Sequence, residues 1–588
     1  MKMLLTGNEA IARGVYEAGC VFASAYPGTP STEIMENIAS NYKEVISEWA
    51  PNEKVALESA FGASMAGARS FASMKHVGLN VAADPLFTIA YSGTNAGLVV
   101  VTADEPGQFS SQNEQDNRNY ARSAKIPMLE PADSSEALAM VKAAFIISEQ
   151  FDEPVLIRMT TRVCHSKSIV EIGERKEVPV KPYVKNAKKY VDVPANAIVR
   201  RHEVEKHLKA EEEFAETTPF NFVVDNGSKT GVIASGMCYY YAKEVFGDTV
   251  NYLKLGFTYP QPMKKIDDFC KGLETIYVIE ENDSFIENAV RLLGYNCKGN
   301  DFFPPYGELT ADVLRKAVTG ETHECMQADP DKIVARPPAL CAGCPHRGLF
   351  YTLGNRKDVV VSGDIGCYTL AFAAPYNAMD FNNCMGASIS AAHGFQKVLD
   401  REGDKTKRAI GVLGDSTFFH SGMTSLLNII YNKSNAITII LDNRITGMTG
   451  HQENPGSGRL ANGEPAHITD IETVVRALGM KNVTVINPND LDAVKKALDD
   501  ALACPEASVI ITRYPCVLKK FSDGDKTEFP VAFKSKCTVN AEKCVGCKMC
   551  LKCGCPALSV TDKKAHIDQT MCVGCTVCKQ ICKVHAID

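Results

Sequence analysis

Several features common in large proteins are scarce or missing in this 588-residue chain, and each gap removes a class of function. No apolar run approaches the ~20 residues that cross a bilayer. The start, Met1-Lys2-Met3-Leu4-Leu5-Thr6-Gly7, lacks the apolar stretch of a signal peptide. No membrane partner is therefore expected, and a cytoplasmic location is. Net charge is also small: 63 basic against 70 acidic residues give −7. With no basic helix or stripe, no nucleic-acid partner is expected. The chain has no Gly-x-Gly-x-x-Gly dinucleotide fingerprint and no lipoyl-type domain, so reducing equivalents are expected to leave by another route.

Cysteine, by contrast, is abundant, with 22 residues. In a reducing compartment that number points to metal rather than disulfides, and oxygen-labile clusters suggest an anaerobic or microaerobic host. Cys544, Cys547 and Cys550, then Cys572, Cys575 and Cys578, form two C-x2-C-x2-C triplets near the end of the chain. Each is completed downstream, by Cys555 (followed by Pro556) and by Cys582. Thiolates at this spacing hold [4Fe–4S] cubanes, the fourth cysteine of each run ordinarily serving the other cluster. The expected sets are Cys544, Cys547, Cys550 and Cys582, and Cys572, Cys575, Cys578 and Cys555. Cys553 is a rival to Cys555, which is favoured by its Cys-Pro pair and wider turn. Zinc knuckles also use C-x2-C pairs, but two near-duplicate runs of four fit clusters better. From Cys537 to Asp588 seven lysines face four acids, an excess that suits anionic clusters and equally suits ordinary solvated lysines. Two clusters imply single-electron transfer, so the remaining five hundred residues are expected to supply electrons.

Length and composition suit about four domains of α/β character. Val21 to Ala25 reads as a buried strand, followed by the turn Tyr26-Pro27-Gly28-Thr29-Pro30 and a helix with Thr29 as N-cap and Pro30 at its first position. That places Thr29 at the carboxyl end of a strand, where open α/β sheets bind ligands. A small-residue helix from Glu58 to Ser70 and strands Leu98 to Thr102 and Pro154 to Met159 continue the rhythm. Residues 171–222 read as a linker, with a solvated helix from Arg200 to Glu213. Gly231 to Ser235 and Thr275 to Glu280 read as parallel strands, with Leu255 to Pro260 as a loop between them; Val359 to Ser362, Ile410 to Leu413 and Ile437 to Leu441 follow as buried strands.

Two of these strand ends carry a spacing with chemical meaning. Gly414-Asp415-Ser416 follows one strand and Asp442-Asn443 ends another, 28 residues from Asp415 to Asn443. A helical crossover of that length brings both side chains to one sheet edge, where a carboxylate and an amide oxygen suit a hard divalent cation clamping a diphosphate. Gly-Asp-Ser alone is an ordinary turn. With Asn443 it resembles the thiamine diphosphate motif, in which Asp415, Asn443 and the Ile445 carbonyl would bind Mg²⁺, although Ser416 stands where many relatives have Gly. Glu58 leads a small-residue helix and would otherwise be read as an exposed glutamate favoured by the helix dipole.

The ordered set of Tyr26 to Pro30, the Glu58 helix with Met74-Lys75-His76-Val77-Gly78, Gly256 to Pro260, Cys341-Ala342-Gly343-Cys344-Pro345-His346-Arg347, Gly363-Asp364-Ile365-Gly366-Cys367, Gly414-Asp415-Ser416 and the terminal cysteines resembles the large subunit of the 2-oxoacid ferredoxin oxidoreductases, in their aryl-pyruvate branch, along the whole chain. The resemblance implies three thiamine-enzyme-type doubly wound parallel-sheet domains plus a small C-terminal ferredoxin-like α+β domain. These would be a pyrimidine-binding domain over 1–170, a transketolase-C-like domain over 223–330, a diphosphate-binding domain over 331–525 and the ferredoxin over 536–588. It implies Glu58 as the acid–base group; Gly414, Asp364 and Thr29, with Asp415, Asn443 and Ile445, as cofactor-binding residues; and thiamine diphosphate, Mg²⁺ and two [4Fe–4S] clusters as cofactors. A third cluster on Cys341, Cys344, Cys367 and Cys516 would match the proximal cluster of pyruvate ferredoxin oxidoreductase, with Cys384 as rival fourth ligand and buried inert thiols as the plain alternative. The implied reaction is CoA-dependent oxidative decarboxylation of aryl pyruvates (indolepyruvate, phenylpyruvate, hydroxyphenylpyruvate) to the aryl-acetyl-CoA and CO2, with reduction of ferredoxin. The CoA-binding domain that larger relatives carry is not read in this chain, so a small partner subunit is implied. Thr29, with Arg118 or Arg122, would hold the substrate carboxylate, surface ion pairs being the plainer reading of either arginine. Competing readings are another 2-oxo acid, a thiamine decarboxylase without net oxidation, and a non-catalytic iron–sulfur subunit.

Overall fold

The computed structural model describes residues 1–322, 328–334, 337–529 and 535–588. The chain divides into two compact units, Met1–Gln327 and Ala328–Asp588.

In the first unit, six mutually parallel strands run in the order Met128–Leu129, Val155–Thr160, Leu98–Asp104, Ser70–Lys75, Phe22–Ala25, Ile46–Trp49. Their sequences are apolar without polar alternation because both faces are covered. Val99, Val101, Val155 and Ile157 enter one core, and Leu98, Val100 and Leu156 the other. The stretch read as a loop, Leu255 to Pro260, instead contributes the strand Phe257–Tyr259, antiparallel to Met128–Leu129 at the sheet edge. Phe257, fully buried and stacked edge-on against Phe214, holds it there. The unit also holds an antiparallel pair, Lys2–Thr6 with Lys167–Glu171, and a four-stranded sheet in the order Thr275–Ile279, Thr230–Ser235, Asn251–Leu255, Asn221–Val224, with only the last strand antiparallel. The expected solvated helix runs longer, over Pro194–Thr217, and buries Val204, Glu211 and Ala215.

Two helix starts differ from expectation. The turn after Phe22–Ala25 takes two more residues, closed by the Ser31 amide and hydroxyl on Gly28 O, so the helix is Thr32–Asn41 with Ser31 rather than Thr29 at its N-cap. The small-residue helix begins five residues early, at Glu53, because Asn52 caps it by accepting from the Val55 amide. Glu53 thereby falls in the first turn and Glu58 in the second.

The second unit is built on six parallel strands in the order Phe381–Asn382, Val359–Gly363, Arg408–Gly414, Ile437–Asp442, Ser508–Arg513, Asn482–Ile486. Alternation again feeds two cores, Ile410, Val412 and Ile439 on one face, Leu413, Ile440 and Ile511 on the other. Its C-terminal part is small: the hairpin Leu558–Thr561 with Lys564–Ile567, the helix Val577–Ile581, and an antiparallel bridge between Val539 and Ile587. Its core is largely cysteine, Cys537, Cys544, Cys550, Cys553, Cys578 and Cys582 among them. No helix among the described residues is long and apolar enough to cross a membrane.

Candidate active site and cysteine cavities

Parallel pairing of Arg408–Gly414 with Ile437–Asp442, with Gly414 opposite Leu441, brings Asp415 level with Asp442 at one sheet edge. Asp415 is 2 % exposed. Its oxygens accept from the Ser416 amide at 2.7 Å and the Ile445 amide at 3.2 Å. Burial first, and then the nearby Asp442 carboxylate, push its carboxyl up to about 8. Asn443 Oδ1 accepts from the same Ile445 amide at 3.2 Å, and Arg444 between them takes a left-handed φ of 59°, held by its ion pairs to Asp525 and Glu528. Asp415, Asn443 and Ile445 therefore share one turn. A carboxylate buried without a cationic partner among the described residues, beside a second carboxylate, is the donor chemistry that suits a divalent ion.

Asp364, expected to contact cofactor, has both oxygens engaged by backbone amides, of Ile365 at 2.8 Å, Gly386 at 3.0 Å and Ser388 at 3.1 Å. These bonds tie the Gly386 turn at the start of the helix Ala387–Glu402. Gly386 sits at φ 82°, and a β-carbon there would lie 2.0 Å from Ser421 Oγ, so backbone approaches closely only because this residue is glycine. Gly414 likewise lies against the Tyr368 ring, whose hydroxyl meets Thr417 Oγ1 at 3.0 Å.

Cys341, Cys344, Cys367 and Cys516 lie near one another beside this edge. Burial raises the Cys367 thiol to about 11, with Cys516 and Cys341 adding to it; Cys344 is raised by burial, Cys367 and Cys516 contributing; and Cys516 by burial, with Cys341 and Asp415 contributing. The Cys516 amide donates to Asn443 O at 3.0 Å. Cys384 is exposed.

The terminal cysteines line two separate cavities. Cys544, Cys547, Cys550 and Cys582 surround one. Cys555, Cys572, Cys575 and Cys578 surround the other, together with Cys537 and Cys553, which the spacing argument did not assign. Among the described residues no three side chains converge as the ligands of a single ion do. The thiols instead ring a space, which suits a cubane held by four cysteines. The second cavity also borders the thiamine-type part of the unit through Gly343 and Arg347.

In the first unit, Glu58 is half exposed and ion-paired to Lys54 at 2.7 Å. Glu53, which the sequence reading passed over, is 4 % exposed and packs on Gly78, where a β-carbon would lie 2.7 Å from its Oε1. Thr29 is half buried at the carboxyl end of Phe22–Ala25, next to Lys75, whose side chain covers Gly28. Burial lowers the Lys75 ammonium, against the pull of Glu105 and Glu53; the neighbouring His76 is lowered to about 4 by burial and is neutral. Arg118 is no substrate clamp. It is fully buried, with its guanidinium occupied by Asp116 and Glu280, both at 2.6 Å, because the surrounding elements supply carboxylates that need a cation. Arg122 is exposed and bonded to Asn119.

Comparison with known proteins agrees with this layout. Residues 13–222 match the family described as pyruvate flavodoxin/ferredoxin oxidoreductase, thiamine diP-binding, and residues 364–512 the C-terminal TPP-binding domain of thiamine pyrophosphate enzymes. Indolepyruvate oxidoreductase subunit IorA of Methanothermobacter marburgensis is 41 % identical over all of this chain and 97 % of its own length; that of Pyrococcus horikoshii is 39 % identical with the same coverage. The chain belongs to the indolepyruvate oxidoreductase IorA family. It is a thiamine diphosphate-dependent 2-oxoacid:ferredoxin oxidoreductase, one subunit of that enzyme. Among solved structures, a 2-oxoglutarate:ferredoxin oxidoreductase from Magnetococcus marinus is 18 % identical over 54 % of this chain and 65 % of its own, with a TM-score of 0.44.

Proposed function

We propose that this subunit carries out CoA-dependent oxidative decarboxylation of aryl pyruvates such as indolepyruvate, phenylpyruvate and hydroxyphenylpyruvate, and passes the electrons to a ferredoxin through its own clusters. The observation that carries the reaction type is the buried, cation-free Asp415 beside a ring of cysteines within one sheet edge. The substrate class is supported by the names of relatives at 39–41 % identity.

Asp415, Asn443 and the Ile445 carbonyl would hold Mg²⁺, and through it the diphosphate. Thiamine diphosphate, when bound, supplies an electron sink for the bond cleavage. Asp364 holds the Gly386 turn rigid against it. Burial favours Glu53 over Glu58 as the acid–base carboxyl, since a group half exposed and paired to lysine is tied to its solvated, charged form. Lys75, beside Thr29, is the better candidate for the substrate carboxylate now that Arg118 is committed elsewhere.

Clusters in the two terminal cavities, and a third on Cys341, Cys344, Cys367 and Cys516, would give electrons a stepwise route from the sheet edge. Four mutually close thiols beside Asn443 favour that third cluster over inert buried cysteines. The small partner subunit would bring the CoA site.

The complex of this chain with its small partner, assayed with a panel of 2-oxo acids and CoA under anaerobic conditions, tests reaction and side-chain class together. Aryl pyruvates should give the highest kcat/KM, with dye reduction strictly dependent on CoA. A preference for pyruvate or 2-oxoglutarate would overturn the aryl assignment. CoA-independent aldehyde release would overturn the oxidative one. Iron near twelve atoms per chain, falling to about eight in Cys341→Ser, is the expected outcome for three four-iron cubanes; eight in both would remove the third.

A further inference from the structure

Three arginines are buried in the described structure, Arg118, Arg158 and Arg347. The first two lie between carboxylates: Arg118 with Asp116 and Glu280, Arg158 with Asp104 and Glu130. Arg347 is as deeply buried, at 0 % exposure, yet pairs with no carboxylate among the described residues. Every group it bonds is neutral: the carbonyls of Leu340, Cys341 (2.7 and 2.9 Å) and Cys553 (3.0 Å), and the Tyr376 hydroxyl (2.6 Å). Taking a guanidinium out of water without a counter-charge is costly, so the fold either carries that penalty or receives an anion there. The candidate anion lies alongside, because Arg347 lines the cavity ringed by Cys572, Cys575, Cys578 and Cys555. Its field also acts on Cys575 and Cys553 on that side, and on Cys344 on the other.

Resting on the cluster reading above, we infer that Arg347 is the counter-cation of the second ferredoxin cluster, a positioning residue that raises that cluster's reduction potential and fixes it against the Cys341–Cys344 loop. Reduction adds one negative charge to the cluster, and a buried cation stabilises the more negative state. The same guanidinium clamps both loops by their carbonyls, Cys341 on one side and Cys553 on the other. Packing reinforces the junction: a β-carbon on Gly343 would lie 2.0 Å from Val573 Cγ2, and Tyr376 OH also donates to Cys553 O at 2.6 Å. The cavity of Cys544, Cys547, Cys550 and Cys582 has no arginine in its lining; its cations are Lys548 on the wall and Lys564, which acts on Cys544.

The test is EPR-monitored redox titration of the anaerobically purified full chain with Arg347→Gln, Arg347→Lys and Tyr376→Phe, alongside iron analysis. In Arg347→Gln one ferredoxin cluster should become harder to reduce, by about tenfold in its one-electron equilibrium, ~59 mV, while the other stays in place. Arg347→Lys should restore most of that shift, and Tyr376→Phe, which keeps the charge, should leave both midpoints unmoved. Full iron with an unchanged midpoint in Arg347→Gln would overturn the inference and leave the cluster reading standing. So would an Arg347→Lys midpoint as low as the Gln one; if the Gln variant comes out iron-poor, a fully loaded Arg347→Lys chain whose midpoint lies ~59 mV or more below wild type overturns the inference instead. A wild-type chain without cluster iron would overturn both.

Discussion

Buried charge is handled in two ways in this chain. In Met1–Gln327 the network of Arg118, Arg158, Asp104, Asp116, Glu130 and Glu280 closes on itself, each guanidinium held between carboxylates at 2.6 Å. In Ala328–Asp588, Asp415 and Arg347 are buried to 2 % and 0 % exposure, and neither joins an ion pair among the described residues. A buried charge that the chain itself compensates is architecture. One that it leaves uncompensated either takes up a proton, as the buried and unbonded Glu211 of the first unit does with its carboxyl raised to about 8 by burial, or points to a group from outside the polypeptide, since the desolvation penalty is otherwise unmet. By that criterion Asp415 marks the metal and diphosphate, Arg347 marks a cluster, and Arg118 marks nothing beyond its own fold.

The largest effect should come from Asp415→Ala. Removing the uncompensated carboxylate takes away several kcal/mol of metal-dependent stabilisation, so turnover should fall by about 10³-fold or more, while iron content stays at the wild-type level. Normal turnover without added thiamine diphosphate would break the link between uncompensated charge and cofactor. Next is the pair Glu53→Gln and Glu58→Gln. The buried carboxyl should cost ~10²–10⁴ in kcat if it moves the proton, and the exposed one less than about threefold, on the small worth of a surface ion pair. The reverse order would restore Glu58 to the role first given to it and show burial to be a poor guide here.

Arg118→Met tests the other half of the contrast. It leaves Asp116 and Glu280 buried without their cation, a change that costs roughly 3–5 kcal/mol. A sharply lower thermal midpoint is expected, with KM for the 2-oxo acid unchanged in whatever folded protein remains. A raised KM at unchanged stability would mean that Arg118 reaches substrate after all.

How far the sequence alone leads follows from what kind of signal each part leaves. The sheets were legible because strands covered on both faces are short apolar runs, as in Ile437–Asp442 and Arg408–Gly414. The Asp415–Asn443 turn was legible because its residues are fixed by spacing along one crossover. Glu53 was missed because the helix boundary was set five residues late, at the small-residue run, when the Asn52 cap sets it. The edge strand Phe257–Tyr259 was missed because three residues carry no periodicity. Arg347 and Cys537 were missed for a deeper reason: a side chain's lack of a partner is a three-dimensional fact. Arg118 and Arg347 look alike in sequence, and only burial with or without carboxylates tells them apart.

The smallest and most diagnostic effect is in pH. Burial and the nearby Asp442 hold the Asp415 carboxyl at about 8 in the metal-free protein, against an ordinary value near 4. A carboxyl whose folded value is raised contributes stability that is complete below its unfolded value and is lost as pH climbs to the folded one. The metal-free chain should therefore lose stability between about pH 4 and pH 8. Metal binding needs the ionised form and releases the proton, so Mg²⁺ affinity should rise by about tenfold per pH unit up to about 8 and then level off. The matching observable is the gap in thermal midpoint between protein with Mg²⁺ and thiamine diphosphate and protein without, measured at pH 6, 7 and 8. It should widen at each step, and in Asp415→Asn, which has no proton to lose, it should be small and flat. A gap of constant size in the wild type would mean that Asp415 is already ionised in the empty protein. The contrast would then rest on Arg347 alone.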